Sequence, residues 1–476
     1  MQFNSAPPRR RDFLAGAAAA LGLSSCTKTA NTSETESGPA DVTLRIAPVL
    51  VDIAKDHTIS TVGYNGSVPG PLIRLHEGVP VTVDIFNELD YPELVHWHGQ
   101  LIPADVDGAS EEHSLVISAN GHLRYKLTPQ PSGSRWVHSH VMAGPDLSRG
   151  TYSGQFAFVY IEPKSNPGQY DQEFFLATHE WEPFFTSAEE EEDEDIGQPP
   201  PDLKTDEKPN GWEIGYQHFT INGKALGYGE PLRVKQGQRV QFHILNASAT
   251  ENIKLALSGH KFQIVALDGN PVPVRGMVDL LELGTGERID AVVEMNNPGV
   301  WVLGTPKDDD RRDGMGIVVE YAGKTGAPRW IAPPKAARWD YTMFGEDRDS
   351  PAPDETIPMV FGKINGGTGN FNRWTINGKG YDEKDGPHAL VKGRHYRLVF
   401  DNHTDDAHPV HLHRNIFELT NVHGKRTAGI RKDVVLVKGF RKIEVDFTPE
   451  QTGFTLFHCH QQLHMDFGFK MVFNVS

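Results

Sequence analysis

The chain has 476 residues, 38% apolar and 23% charged, with 47 Gly and 33 Pro; this allows several separate cores and argues for turn-rich β structure over helical bundles. A formal charge of −17 repels phosphate backbones, which argues against nucleic acid as a partner. With only two cysteines, Cys26 and Cys459, there is no disulfide scaffold.

In chain order, the first element reads as an address. Arg9, Arg10 and Arg11 precede Phe13 and Leu14, and the apolar run that follows stops at Leu23, too short for a permanent membrane span. Residues 1–25 resemble a twin-arginine export signal, the route of proteins that fold before crossing the membrane. The run ends in Leu23-Ser24-Ser25-Cys26, similar to a bacterial lipoprotein processing site with Cys26 as the acylated first residue; ordinary cleavage nearby is the alternative. Residues 26–40 are polar and lack periodicity, as in a tether. Both routes predict a product beyond the cytoplasmic membrane, in the periplasm or cell envelope. There the lone Cys459 thiol is a liability unless something occupies it.

The rest of the chain repeats itself. "YNGSVPGPLIRLHEGVPVTVDIFNEL" begins at Tyr64, "INGKALGYGEPLRVKQGQRVQFHILNAS" at Ile221 and "INGKGYDEKDGPHALVKGRHYRLVFDNHT" at Ile376. Each has an Asn-Gly turn, then a Gly (Gly78, Gly237, Gly393), then an alternating strand that ends in Asn nine residues later (Asn87, Asn246, Asn402). The sequence therefore predicts an all-β chain of three β-sandwich domains at 41–165, 168–325 and 354–476. Residues 326–353, rich in Pro and Trp, are expected to wrap over the surface as a linker. An acidic insertion at 187–210 includes seven consecutive acids, Glu189 to Asp195; it reads as a solvated segment or as an acidic lip that gathers cations.

Histidines fall on the repeat unevenly. Nine and eleven residues after the shared Asn, the first copy has His96 and His98, the third has His411 and His413, and the second has Leu255 and Leu257. Five and seven residues after a later shared Gly stand His138 and His140, then Gly304 and Pro306, then His458 and His460. On a strand, residues i and i+2 point to the same side, so each H-x-H presents two imidazoles in one direction. Eight imidazoles from the outer copies exceed the needs of one ion and predict a metal cluster between those copies.

His408, which opens "HPVHLH", and His464, five residues after Cys459, complete a His2Cys set. Thiolate plus imidazole in a three-ligand set is the signature of a blue-copper electron-transfer site, with zinc the rival metal. Coordinated copper would also explain a solitary cysteine. Because His458 and His460 flank Cys459, that residue would connect two metal sites through bonds.

The four motifs "HWHG", "HSH", "HPVHLH" and "HCHQQLH" resemble those of the three-domain multicopper oxidases, the laccase-like family, over nearly all of the mature chain. The resemblance implies three consecutive cupredoxin-like Greek-key domains and four coppers per chain. It assigns type 2 copper to His96 and His411. The type 3 pair goes to His98, His138 and His460 on one ion and to His140, His413 and His458 on the other. Type 1 copper goes to His408, Cys459 and His464, with His464 as the electron entry.

Two positions depart from common family versions. Phe469 stands ten residues after the Cys, where many members have an axial Met, and loss of that weak donor predicts a raised type 1 potential; Met465 and Met471 are expected to be packing residues. Asp107 matches a carboxylate that the family often uses as a proton relay, or else is a turn residue before Gly108. A second family acid, directly after the His that is His464 here, is replaced by Met465, with Asp466 as a substitute.

The expected activity is one-electron oxidation of phenolic or aromatic donors coupled to four-electron reduction of O2 to water. O2 and a small electron donor are the partners, the protein is a monomer, and membrane contact is only through lipid on Cys26. A cuprous oxidase for copper tolerance is the enzymatic alternative. A copper-free structural protein of this fold and a two-domain nitrite reductase are disfavoured by the complete ligand set and the third repeat.

Overall fold

The computed structural model describes residues 38–165, 170–187, 196–204, 208–382, 384 and 386–476. The export signal, Cys26, the tether up to residue 37 and the acidic run Glu189 to Asp195 lie outside the described residues. No helix among those described is long and apolar enough to cross a membrane.

Three sandwiches of one plan follow each other. In the first barrel, strands His57–Tyr64, Val42–Ala54, Val81–Asn87 and His122–Leu127 form one sheet in that order; Ile73–His76, Phe156–Glu162, Gly133–Ser139 and Val95–His98 form the other. The second barrel repeats the order with His218–Ile221, Gln172–Trp181, Arg239–Asn246 and Arg288–Glu294, facing Leu232–Val234, Gly316–Tyr321, Val300–Gly304 and Ile253–Leu257. The third repeats it again with Arg373–Ile376, Glu355–Ile364, Tyr396–Asn402 and Lys442–Phe447, facing His388–Leu390, Lys470–Val475, Gly453–Cys459 and His408–Leu412. This is the cupredoxin-like, Greek-key β-sandwich three times over.

The repeated residues have repeated jobs. In each Asn-Gly turn the Asn adopts positive φ (53°, 54° and 53° at Asn65, Asn222 and Asn377), which Asn and Gly tolerate best. Its Oδ1 accepts a backbone N–H from the adjacent strand, from Arg45, Ala177 and Val360 respectively. The Asn that ends the alternating strand pins a corner: Asn87, Asn246 and Asn402 donate Nδ2–H to Tyr91 O, Glu251 O and Asp406 O, each at 2.8 Å.

Alternation buries one face of each strand, and the second and third barrels share one continuous apolar core. The 326–353 segment departs from the surface path expected of it. Trp339, Tyr341 and Phe344 are buried in that shared core, and the Tyr341 hydroxyl donates to Glu287 Oε1 at 2.6 Å.

Candidate metal centre

The four H-x-H pairs sit on ladders that face one another across the first and third barrels. His96 and His138 are partners in the first barrel, and His411 and His458 in the third. The ladders converge so that His96 Nε2 lies 3.4 Å from His411 Nε2 across the two barrels; within the first barrel His98 Nδ1 lies 3.4 Å from His138 Nε2, and within the third His413 Nε2 lies 3.0 Å from His458 Nε2. All eight rings are buried. His96 with His411 and His413, His96 with His98 and His138, and His140 with His413 and His458 form groups whose ligand atoms lie within 4.8 Å of one another.

Hydrogen bonds at the far nitrogens fix which atom faces the centre. The Nδ1–H of His96, His138, His411 and His458 donates to the carbonyls of Asp107, Ser139, Asp433 and Cys459 at 2.7–2.9 Å, so Nε2 is the inward lone pair. His413 donates Nδ1–H to Asp107 Oδ2 at 2.8 Å. His98 is reversed: its Nε2 bonds Asp433 Oδ1 at 3.0 Å and Nδ1 faces inward. His140 Nε2 and both nitrogens of His460 are buried without a hydrogen-bond partner. Burial, then neighbouring imidazoles, holds His98, His140, His413 and His460 well below the usual histidine range. Burial also takes His458 down to about 3. A nest of neutral imidazoles with orphaned lone pairs is unfavourable unless cations occupy it.

Beside the cluster, His408 opens a strand, Cys459 ends one, and His464 lies in the short helix Gln462–Asp466. His408 Nδ1 and His464 Nδ1 are 3.1 Å apart, and Cys459 Sγ is 3.7 Å and 3.5 Å from them. The His408 Nε2–H donates to Thr404 Oγ1 at 2.7 Å, leaving Nδ1 free to ligate. The Phe469 ring packs against His408 with centroids 4.7 Å apart, and Trp374 stacks on His464 at 4.0 Å.

Asp107 is fully buried at the end of the short helix Ala104–Asp107, behind His96 and His413. Gly108 follows at φ 99°, and a Cβ there would sit 2.1 Å from Val95 O on the His96 strand, so only Gly brings the acid this close. Asp466, the candidate to replace the missing acid at 465, lies at the end of the helix Gln462–Asp466 that carries His464. Its carboxylate accepts the backbone N–H groups of Ala143 and Gly144, at 2.9 and 2.7 Å, and clamps that loop. A second carboxylate behind His413 is Glu112, 3.5 Å from His413 Nδ1 and accepting Leu456 N–H at 2.7 Å. Sequence reasoning missed it, because "GASEEHS" has the composition of an exposed turn.

Sequence reasoning also missed the second barrel's part. Arg288 donates two bonds to Asp433, at 2.6 and 2.7 Å, while Asp268 Oδ2 accepts Asp433 N–H at 3.2 Å and Lys432 Nζ at 2.9 Å. All these groups are buried, and Asp433 in turn holds His98 and His411. Gly286, next to them, would place a Cβ 2.8 Å from His460.

Models of the multicopper oxidase family match residues 47–166, 197–317 and 357–476. The chain belongs to the multicopper oxidases. It is 28% identical to the multicopper oxidase MmcO of Mycobacterium tuberculosis, over 94% of this chain and 90% of that one. A laccase from Botrytis aclada shares the fold at a TM-score of 0.71 and 19% identity, covering 92% of this chain and 88% of the other. A metallo-oxidase from Campylobacter jejuni does so at 0.68 and 19%, covering 93% of each. As a multicopper oxidase the chain is a copper-dependent oxidoreductase. Neutral imidazoles and a cysteine held within reach of two of them suit copper.

Proposed function

We propose that this oxidase is laccase-like, drawing single electrons from phenols and aromatic amines at the His408–Cys459–His464 site and delivering them to O2 at the eight-histidine cluster. When bound, copper supplies one-electron exchange at the first site and four-electron reduction of O2 to water at the second. Four coppers per chain are proposed: type 1 on His408, Cys459 and His464, type 2 on His96 and His411, and the type 3 pair on His98, His138 and His460 and on His140, His413 and His458.

The observation that carries this reading is the join at Cys459. Its neighbours in the chain, His458 and His460, belong to the cluster, and His458 Nδ1–H donates to Cys459's own carbonyl at 2.8 Å, a second short path beside the covalent one. His464 is the proposed electron entry, and Trp374, which stacks on it at 4.0 Å, is buried with it. Asp107 orients His413 through Oδ2 and is the proposed proton relay, with Oδ2 also 3.2 Å from His96 Nδ1. Phe469 excludes water from the His408 side and offers no axial donor.

The second reading is cuprous-ion oxidation for copper tolerance. Met142, 53% exposed on the loop that Asp466 clamps to the His464 helix, is a soft thioether within that region. The protein is further proposed to be an exported monomer, with a lipid on Cys26 as its sole membrane contact.

The test is copper loading followed by copper counting, visible absorption and EPR, then O2 uptake with a phenol and separately with Cu(I). Four coppers, an intense blue band and phenol-driven uptake are expected; preference for Cu(I) would move the assignment to metal detoxification.

A further inference from the structure

Away from the cluster, three ligand-type side chains converge at the border of the first and second barrels. His57 opens strand His57–Tyr64, Glu182 follows strand Gln172–Trp181, and His218 opens strand His218–Ile221. Their ligand atoms lie within 4.8 Å of one another. His57 Nε2 is 3.3 Å from Glu182 Oε1, His218 Nε2 is 3.5 Å from Glu182 Oε2, and the two ring centroids are 4.3 Å apart.

The backbone prepares this convergence from both sides. Trp181 and His218 are ladder partners, and pairing resumes only at Phe184 with Gly215. In the gap Glu182 takes φ 54°, a left-handed conformation uncommon for residues other than Gly, Asn and Asp. His57 belongs to the hairpin in which it pairs with Ala54, and the second barrel holds that hairpin: Lys224 Nζ donates to Asp52 O at 2.5 Å and Ala225 N–H to Ile53 O at 2.9 Å.

Protons alone leave the trio poorly satisfied. Two imidazolium rings 4.3 Å apart would share one carboxylate and repel each other. The separations of 3.3 and 3.5 Å exceed the roughly 2.7–2.9 Å of a charge-assisted hydrogen bond. With neutral rings, His57 Nε2 is shielded from water without a hydrogen-bond partner. A cation at the centre removes both problems. Ligand bonds of about 2.0–2.1 Å at tetrahedral angles put neighbouring donor atoms about 3.3–3.4 Å apart. The His408, Cys459 and His464 donor atoms are spaced in the same range, 3.1–3.7 Å.

We propose that His57, Glu182 and His218 bind one divalent first-row transition ion, Zn(II) or Cu(II), clamping the first barrel to the second. Two imidazoles and a carboxylate suit both ions, and the side chains, 34–38% exposed, leave an entry route and room for a water ligand. This site stands apart from the oxidase chemistry.

The test uses the full copper-loaded chain. It is incubated with Zn(II) in one arm and Cu(II) in the other, freed of excess ion on a desalting column, and its metals counted. In at least one arm the wild type is expected to hold one ion per chain more than the His57→Ala/His218→Ala double variant. A Glu182→Gln variant is expected to bind that ion at least about tenfold more weakly. Blue absorption and phenol-driven O2 uptake are expected to stay at wild-type levels in both variants, which separates this site from the oxidase assignment. Anomalous diffraction from wild-type crystals soaked in Zn(II), and others soaked in Cu(II), reads the site without any variant, and a peak among the three side chains in either soak is expected. Equal metal counts in wild type and double variant, or no peak there with either ion, would overturn the proposal.

Discussion

Leu255 and Leu257 of the second barrel stand where His411 and His413 stand in the third, and all four side chains are buried. The leucines need only apolar neighbours, which their own barrel supplies. A buried imidazole needs a partner for each nitrogen: His413 leans on Asp107 of the first barrel, and His411 on Asp433 of its own barrel, which Arg288 of the second barrel holds. The second barrel contributes no histidine to the cluster, yet it supplies the charge that keeps the cluster's supports in place.

The most direct way to break this comparison is His411→Leu, which gives the third barrel the second barrel's residue. O2 uptake is expected to fall by more than about 100-fold, with loss of cluster copper by metal counting. Asp107→Asn keeps the shape and removes the acid. Turnover is expected to drop about 100-fold, while reduction of the blue site by the donor, followed by stopped-flow absorption, keeps its rate. Arg288→Met tests the second barrel. It leaves Asp433 buried without its main counter-charge, which is expected to cost about 3–5 kcal/mol in denaturant unfolding and to weaken cluster loading.

A pH experiment sharpens the border between the first and second barrels, where Ser134 Oγ donates to Asp290 at 2.6 Å and His243 Nδ1 lies 2.9 Å from the same carboxylate. Burial pulls the His243 imidazole down, but Asp290 and Glu173 outweigh it and lift it to about 9 from an ordinary 6.5. A raised folded value means stabilisation is complete below about pH 6.5 and is lost as pH rises through about 9. About 3 kcal/mol should disappear over that window in wild type, and unfolding midpoints of His243→Gln should stay flat. The smallest effect concerns Phe469→Met, expected to lower the type 1 potential in a redox titration and to leave copper content unchanged.

The repeats made much of this legible in one dimension. Asn-Gly turns, corner Asn residues and period-two alternation are local rules, and each copy obeys them. The H-x-H pairs were visible because the middle copy lacks them, so position within a repeat did the work of comparison. Glu112, Arg288 and Asp433 were not legible, since a buried charge and a surface charge are written with the same letter and differ only in what folds over them. The aromatic plug at Trp339 to Phe344 was hidden the same way: its Pro-rich setting signals a connector, and only the shared core gives its rings a place to go.

His96 and His411, 3.4 Å apart in space, are 315 residues apart in the chain. During synthesis the first barrel is therefore complete long before the segment carrying His458, Cys459 and His460 exists, and until then it offers only one or two members of each ligand group that spans the two barrels. A truncated chain would hold neither the complete His408–Cys459–His464 set nor the cluster joined to it through Cys459. Dividing the site between the two ends of the polypeptide makes completion of the chain a condition for reactivity.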